Sequence, residues 1–318
     1  MNEVESAGAE PLISIVCCTH NRLEFVRTHF AALSSQLGPE VELVYALDHC
    51  NDGTQAYLAE VVAGCPYVHV FENDGDKGLF NCRNFGLSKS RGHYVHFLDD
   101  DDGVEGDFYA LARAGLGNPA GDSPIDLYLT GLRVSQSDGV VYEQRVISDT
   151  VARLGRQFGD ELHLEGDFFG DVLKGQIYFN GANTLYSREL LQRYGFRGEL
   201  KKSADWLLNL EAALRSQLHF AFNPKMTAIY FVHAASMSLG PDKAGWNAKV
   251  FDILLGLTPS GSPHHEAVKH SCALANFHAG YSNRHMDRAR ALAHYRRAFN
   301  LGLRRKATLA IAKLAMHL

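Results

Sequence analysis

The sequence predicts an α/β protein with a mainly parallel sheet flanked by helices and a helical extension at its C-terminal end. Three observations predict it. Strand-like and helix-like segments alternate through the first hundred residues, and the leading strands are short, continuous, β-branched apolar runs rather than alternating ones. Polar residues gather just after each of these strands, where open parallel sheets bind ligands.

Taken in order, "LISIVCCT" reads as a strand buried on both faces, ending in "HNR". A helix from Leu23 to about Gln36 follows, then the strand "VELVYALD", the capped helix "DGTQAYLAEVVAG" and the strand "YVHVFEN". "LFNCRNFGLSKS" reads as a helix and "HYVHFL" as the fourth strand. The Gly, Pro, Ser and Asp content of residues 115–124 predicts a loop, and "IDLYLTGLRV" with "GVVYEQRVI" a strand pair. Residues 149–175 are ambiguous between helix and strand. "NGANTLYSRELLQRYG" reads as a strand entering a helix, and "SADWLLNLEAALRS" as an amphipathic helix with Ser203 as N-cap. "LTPSGSPHH" marks a linker before a helical tail from about His265, with His264 and His265 expected to be solvated. The expected division is a disordered tail at 1–10, one large domain over 11–240, and a linker with helical extension over 241–318.

With 318 residues and 46% hydrophobic content, the chain can bury a sizeable core. Its net charge of −5 argues against a nucleic-acid binder overall. The six cysteines lack CxxC spacing and are expected to be reduced thiols, most of them buried, which favours a reducing compartment. "MNEVESAGAE" lacks the basic and apolar regions of a secretory signal, and no run approaches 18 apolar residues, so a cytosolic location is expected.

The most informative stretch is "HYVHFLDDDDGV". Asp99, Asp100, Asp101 and Asp102 would repel one another unless a cation or hydrogen-bond donors relieve the crowding. Three readings fit: a solvated acidic turn, a divalent-metal site, or a nucleophilic aspartate site. Alternate carboxylates at a strand end favour a hard cation, Mn²⁺ or Mg²⁺, which keeps positions free for phosphate oxygens.

The ordered set "SIVCCTHNR", "LDHCNDGT", "ENDGDKGLFNCRNFGL", "HFLDDDD", "NGANTLYSRELLQRYGF" and "SADWLLNLEAAL" resembles the family 2 glycosyltransferases. The resemblance runs over roughly residues 11–240 and implies a GT-A fold. It also implies inverting transfer of a sugar from a nucleoside diphosphate, with uracil the first expectation for the base, to an acceptor hydroxyl. In that family's D-x-D motif Asp101 would coordinate the metal, and Asp99 would hold donor hydroxyls and assist the metal site. Asp100 joins the donor-binding set, although solvation or helix capping is the plainer reading for it and for Asp102.

Asp48 would accept from a nucleobase N–H, with Thr19 and Arg22 completing the base and ribose pocket. Asp52 and Thr54 read as a turn and N-cap. Lys77 and Arg83 would neutralise diphosphate, with structural pairing to the aspartates an equal reading for Arg83. His233 would ligate the metal or serve structurally. Asp205, in the first turn of its helix, is the expected general base. The family usually shows Glu-Asp there, whereas this chain has Ala204-Asp205. Trp206 would stack on an acceptor sugar or pack in the core.

Residues 284–318 carry nine Lys or Arg against Asp287 alone, interleaved with apolar residues at helical spacing. Peripheral contact with the inner face of a membrane, near a saccharide, glycolipid or other hydroxyl acceptor, is one expectation; a helical hairpin packed on the catalytic domain is the other. Single-stranded nucleic acid fits poorly, because no aromatic ladder accompanies the charge. Two rival functions remain open: a haloacid dehalogenase-like phosphatase using Asp100 and Asp102, and a catalytically silent nucleotide-sugar binding module. A nucleotidyltransferase is disfavoured because "CCTHNRLEF" has no glycine-rich loop.

Overall fold

The computed structural model describes residues 10–117, 124–234, 236 and 242–316. The expected tail at 1–10 therefore lies almost wholly outside the described residues, as does much of the loop expected at 115–124.

The first half follows the predicted alternation: β1 (Ile13–Thr19), α1 (Leu23–Leu33), β2 (Val41–Leu47), α2 (Thr54–Gly64), β3 (Val68–Glu72), α3 (Leu79–Lys89) and β4 (Tyr94–Phe97). Every residue of β1 and β2 is buried, which accounts for their unbroken apolar character. Next come β5 (Gly103–Val104), α4 (Phe108–Gly117) and the antiparallel pair β6 (Leu127–Gln136) and β7 (Val141–Gln144). The ambiguous stretch resolves into α5 (Asp149–Ala152), β8 (Arg156–Phe158), β9 (Glu161–Gly166) and α6 (Phe169–Leu173), elements too short to show a period.

The rest comprises β10 (Thr184–Ser187), α7 (Arg188–Tyr194), α8 (Ala204–Arg215), the fifteen-residue β11 (Leu218–Val232) and four helices. These helices are α9 (Lys243–Leu257), α10 (His265–Asn283), α11 (Arg288–Asn300) and α12 (Arg304–Met316). The linker expected around residues 257–265 separates α9 from α10, but α9 itself was not foreseen. His264 and His265 are not simply solvated. His265 Nδ1 lies 3.0 Å from the Thr258 carbonyl, and the His264 ring packs 4.6 Å from that of Phe169.

The chain divides into two compact units. One comprises residues 1–167, 175–198 and 217–233 and holds the eleven strands found among the described residues in a single sheet. The other comprises residues 168–174, 199–216 and 234–318, and thus holds α6, α8 and the four C-terminal helices.

In the sheet the order is β3-β2-β1-β4-β10-β6-β11-β9-β8, with β5 added to β11 and β7 to β6. The four leading strands are parallel, and β10 enters antiparallel between β4 and β6. Chain order therefore reverses between β1 and β4, opening a switch point at their carboxyl ends. Strand β11 runs parallel to β6 through an irregular register between Asn223 and Ala228. Gly131 faces that bulge, where a Cβ would stand 2.6 Å from the Pro224 carbonyl oxygen.

A buried carboxylate ties the amino-terminal side of the sheet together. Glu42, 2% exposed, accepts from the Ser14 hydroxyl (2.7 Å), from the Arg91 amide (2.7 Å) and from the Arg91 guanidinium (2.8 and 3.0 Å). The Gly92 amide donates in turn to Ser14 Oγ at 2.7 Å. Burial works against the charge, yet the His69, Ser14 and Arg91 hydrogen bonds outweigh it and hold Glu42 down at about 2.

The folded protein thus keeps Glu42 ionised far below its ordinary value of 4.5. The stability it confers is complete above that pH and is lost as pH falls toward 2. Glu42→Gln is expected to lower the unfolding free energy at pH 7 by about 1–3 kcal/mol. Urea denaturation across pH 7 to 3 checks this, and the gap between variant and wild type must narrow on acidification.

Candidate functional site

The site in the sheet unit is built by extending the register of β1 and β4. Val16 pairs with Phe97, so the next residues bring Thr19 opposite Asp100. The Thr19 hydroxyl donates to Asp100 Oδ2 at 2.6 Å. Two tight loops follow the neighbouring strands, with Asn21 and His49 in left-handed backbone conformations at φ 54° and 57°. Asn21 Oδ1 accepts from the Asn51 amide at 2.7 Å and joins the loops.

Arginines balance the aspartate run. Arg22 Nη1 lies 2.7 Å from Asp100 Oδ1, and Nη2 donates to Asp101 Oδ2 at 2.8 Å. Its guanidinium also lies 4.2 Å over the Phe25 ring. Arg83 donates to Asp99 Oδ1 at 2.7 Å from among the Phe80, Phe97 and Phe196 rings, so the structural pairing expected for it is present. His233 Nε2 donates to Asp101 Oδ2 at 2.8 Å, and its ring stacks 6.1 Å from Phe25.

Neither Asp100 nor Asp102 caps a helix, and Asp100 is buried rather than solvated, contrary to the plainer expectation, while Asp102 is half-buried. Asp100 is 4% exposed and held by Thr19 and Arg22, whereas Asp102 Oδ1 accepts from the Phe231 amide of β11 at 2.9 Å. Their environments separate their acidities. Burial, together with Asp101 and Asp99, pushes Asp100 up to about 7 despite Thr19 and Arg22. Burial and the neighbouring Asp99 charge push Asp102 well above the usual carboxylate range. Burial opposes ionisation of Asp101 too, but hydrogen bonds from His233 and Arg22 prevail and hold it low.

One oxygen from each of Asp99, Asp101 and Asp102 lies within 4.8 Å of the others. Three convergent hard oxygens, one of them on a carboxylate that its neighbours make costly to ionise, suit a divalent cation. The donor set therefore fits Mn²⁺ or Mg²⁺.

The other expected residues are placed as follows. Asp48, 6% exposed, accepts from Asn73 Nδ2 at 3.2 Å and from the Gly78 amide at 3.0 Å. Its carboxylate thus organises the loop after β3 as well as ending β2. Lys77 Nζ lies 3.1 Å from His20 Nε2, and His20 Nδ1 donates to the Asp48 carbonyl at 2.6 Å. Thr19 and Arg22, expected to complete a base and ribose pocket, meet the aspartates here: the Thr19 hydroxyl donates to Asp100, and the Arg22 guanidinium pairs with Asp100 and Asp101. Asp52 forms the expected turn, accepting from the Thr54 amide and hydroxyl at 3.1 and 2.6 Å and from the Leu23 amide at 3.0 Å, but the N-cap position of α2 falls to Gly53, left-handed at φ 91°, without a side-chain cap.

Asp205 and Trp206 belong to the helical unit. Asp205 is half-buried in the first turn of α8 and accepts from the Trp206 amide at 2.9 Å. Ser203 stands at the N-cap position but does not cap. With φ 62° it is left-handed, and its hydroxyl donates to Asn247 Oδ1 at 2.9 Å. Ala204 is 1% exposed, so the position of the expected Glu is filled by packing. Trp206 meets Phe251 edge-on at 5.0 Å, which supports the packing reading.

Sequence reasoning missed Phe25 and Phe231, and it placed His20 and Asn73 among the polar strand ends without giving them a role. A signal existed for Phe25, an exposed aromatic in the first turn of a helix entered directly from a strand-end loop. All six cysteines are free thiols. Among the described residues no helix is long and apolar enough to cross a membrane.

With Arg22 removed, buried Asp100 loses its only ion-pair partner among the described residues. Arg22→Gln is expected to lower metal-free stability by about 1–3 kcal/mol, less than for a fully buried pair because the arginine is 30% exposed. Guanidinium denaturation in EDTA measures this, and an unchanged midpoint would show the pair to be energetically idle.

Residues 14–114 match the glycosyl transferase family 2. The succinoglycan biosynthesis protein ExoO of Rhizobium meliloti is 26% identical over 232 residues, covering 72% of this chain and 63% of the relative. The chain spans about a third to two thirds of the length of the curated relatives it matches. Among solved structures, S. aureus TarS 1–349 in complex with UDP-GlcNAc superposes with a TM-score of 0.65 at 16% identity. That match covers 91% of this chain and 81% of TarS 1–349. The mannosyltransferase PcManGT of Pyrobaculum calidifontis, in complex with GDP-Man and Mn²⁺, gives 0.58 at 16% identity over 96% and 80% of the two chains. These likenesses establish the fold.

Proposed function

The chain belongs to the family 2 glycosyltransferases and has the GT-A fold, and on that premise we propose that it moves a sugar, with inversion, from a UDP-linked donor to an acceptor hydroxyl. The observation that carries this reading is the convergence of Asp99, Asp101 and Asp102 at the β1–β4 switch point, where α/β sheets hold nucleotides. Donors of this class are bound by the related folds: TarS is seen with UDP-GlcNAc and PcManGT with GDP-Man and Mn²⁺. A phosphatase acting through Asp100 lacks comparable support, since that residue is 4% exposed and engaged by Thr19 and Arg22.

In this proposal Asp99, Asp101 and Asp102 would hold the metal, with His233 beside Asp101 as a further candidate ligand. The cation would supply positive charge to the departing diphosphate. Arg22, Arg83 and Lys77 surround the same strand ends and would add to that compensation. Asp48 would receive the nucleobase N–H, on an end of β2 already fixed by Asn73 and Gly78.

Asp205, in the first turn of α8, would take the proton of the acceptor hydroxyl. Saccharide or glycolipid acceptors suit the polysaccharide biosynthesis in which ExoO is named. Peripheral contact of residues 284–318 with an inner membrane face would bring the enzyme to such lipid-linked acceptors.

Asp101→Asn is expected to abolish the Mn²⁺-dependent rise in melting temperature given by a nucleoside diphosphate, while leaving the apo fold intact. Equal diphosphate affinity of the wild type in EDTA and in Mn²⁺ would overturn the metal's role. A screen of nucleoside diphosphates and their sugars in the same assay identifies the base.

Transfer and donor binding are separable. Asp205→Asn should cut turnover about 10²- to 10⁴-fold with little change in donor affinity. Asp48→Asn should instead weaken nucleotide binding and spare turnover at saturating donor. Full transfer by the Asp205 variant would return that residue to a plain helix-end charge. Nucleotide binding without turnover in the wild type, across a broad acceptor panel, would favour the catalytically silent module.

A further inference from the structure

Within the helical unit, α10, α11 and α12 enclose a cleft of about 730 Å³. Its floor is apolar: Tyr295 is 2% exposed and its ring lies 5.5 Å from that of Phe277, with Leu314 alongside. Its charged lining is cationic, drawn from Arg284, Arg288, Lys306 and Lys313 beside His285, and contains no carboxylate. Lys306 and Lys313 stand two turns apart on one face of α12, about 10 Å along the axis.

The cations of this segment fall into two groups. Arg290 and Arg297 are neutralised by Asp242 and Asp252, each at 2.8 Å. Those of the cleft are held differently. Arg288 donates to the Leu314 carbonyl, and Arg284 lies 3.5 Å over the Tyr281 ring. Among the described residues Arg284, Lys306 and Lys313 have no carboxylate partner. Beside these charges the surface is unusually apolar, with Tyr281 55%, Leu309 58% and Met316 75% exposed. Helix α12 fully buries only Ala307, and packing within the unit does not cover Leu309 or Met316.

We propose that this cleft receives the phosphate-bearing headgroup of an anionic phospholipid, with Leu309 and Met316, one heptad apart on α12, entering the acyl boundary. A free phosphate would engage the cations but leave the exposed apolar side chains unexplained. An apolar protein surface would cover those side chains but strand the charges. An anionic lipid surface meets both requirements. The proposal deepens the membrane contact put forward with the transferase reading, and its test requires neither donor nor acceptor.

Full-length protein is sedimented with vesicles of phosphatidylcholine alone or with phosphatidylglycerol added, and circular dichroism verifies the folding of each variant. Retention is expected on the anionic vesicles only. The double charge reversal Lys306→Glu/Lys313→Glu should lower partitioning about tenfold or more, and Tyr281→Ser/Leu309→Ser should also lower it. Arg296→Glu/Arg305→Glu, the same change in charge at exposed positions outside the cleft, should lower it much less.

No retention of the wild type on anionic vesicles overturns the proposal. So does an equal loss from the two charge-reversal pairs, which would mean diffuse attraction. Stabilisation by inorganic phosphate that depends on Lys306 and Lys313, without vesicle binding, would make soluble phosphate the ligand and overturn it as well. Nucleotide-dependent thermal shifts of the same variants keep this outcome separate from the donor-site reading.

Discussion

The hydrogen bond between Thr19 and Asp100 fixes the geometry on which the rest of the site depends. It spans the two central strands at the point where chain order reverses, and it aligns a run of four acids against the loop after β1. Concentrating that much negative charge is unfavourable unless cations stand close by. Arg22 comes from the loop that Thr19 begins and Arg83 from α3, while His233 comes from the end of β11. Three distant parts of the sequence are drawn together by one electrostatic demand.

That demand sets a competition. A diphosphate arriving in this region would present the arginines with a second set of oxygens, and a divalent cation would present the carboxylates with a stronger partner. Each ligand relieves the same ion pairs, so the two binding events should be coupled in free energy even without contact between diphosphate and cation. The separation of acidities bears on this: Asp101 is held ionised, whereas burial makes Asp100 and Asp102 resist charge.

Much of this was legible in the sequence because it is local. Continuous apolar strands, the acids after the fourth of them and the Asp52–Thr54 turn all follow from neighbouring residues. What was not legible depends on register between distant segments. That Arg22 would turn to Asp100 and Asp101 requires β1 and β4 to be adjacent and in a particular alignment. The Ser203 hydroxyl was lost to Asn247, 44 residues away, a partner that no capping rule anticipates. Residues 149–175 hid their nature because strands of three and six residues and helices of four and five repeat a pattern too few times to tell one period from the other.

Strand β11 acts as a ruler. Over its fifteen residues, about 50 Å of extended chain, it pairs with β9 at one end and β5 at the other, and it lies along β6 between. The Phe231 amide and His233 are thereby delivered to Asp102 and Asp101 by counting residues from a remote anchor. Such a device tolerates changes of side chain but not of length: one residue lost after the bulge would turn every later side chain to the opposite face. The irregularity between Asn223 and Ala228 is the one place along its pairing with β6 where a length change can be absorbed. Gly131, whose lack of a side chain admits the bulge, thus governs from the neighbouring strand how far the far end of β11 reaches.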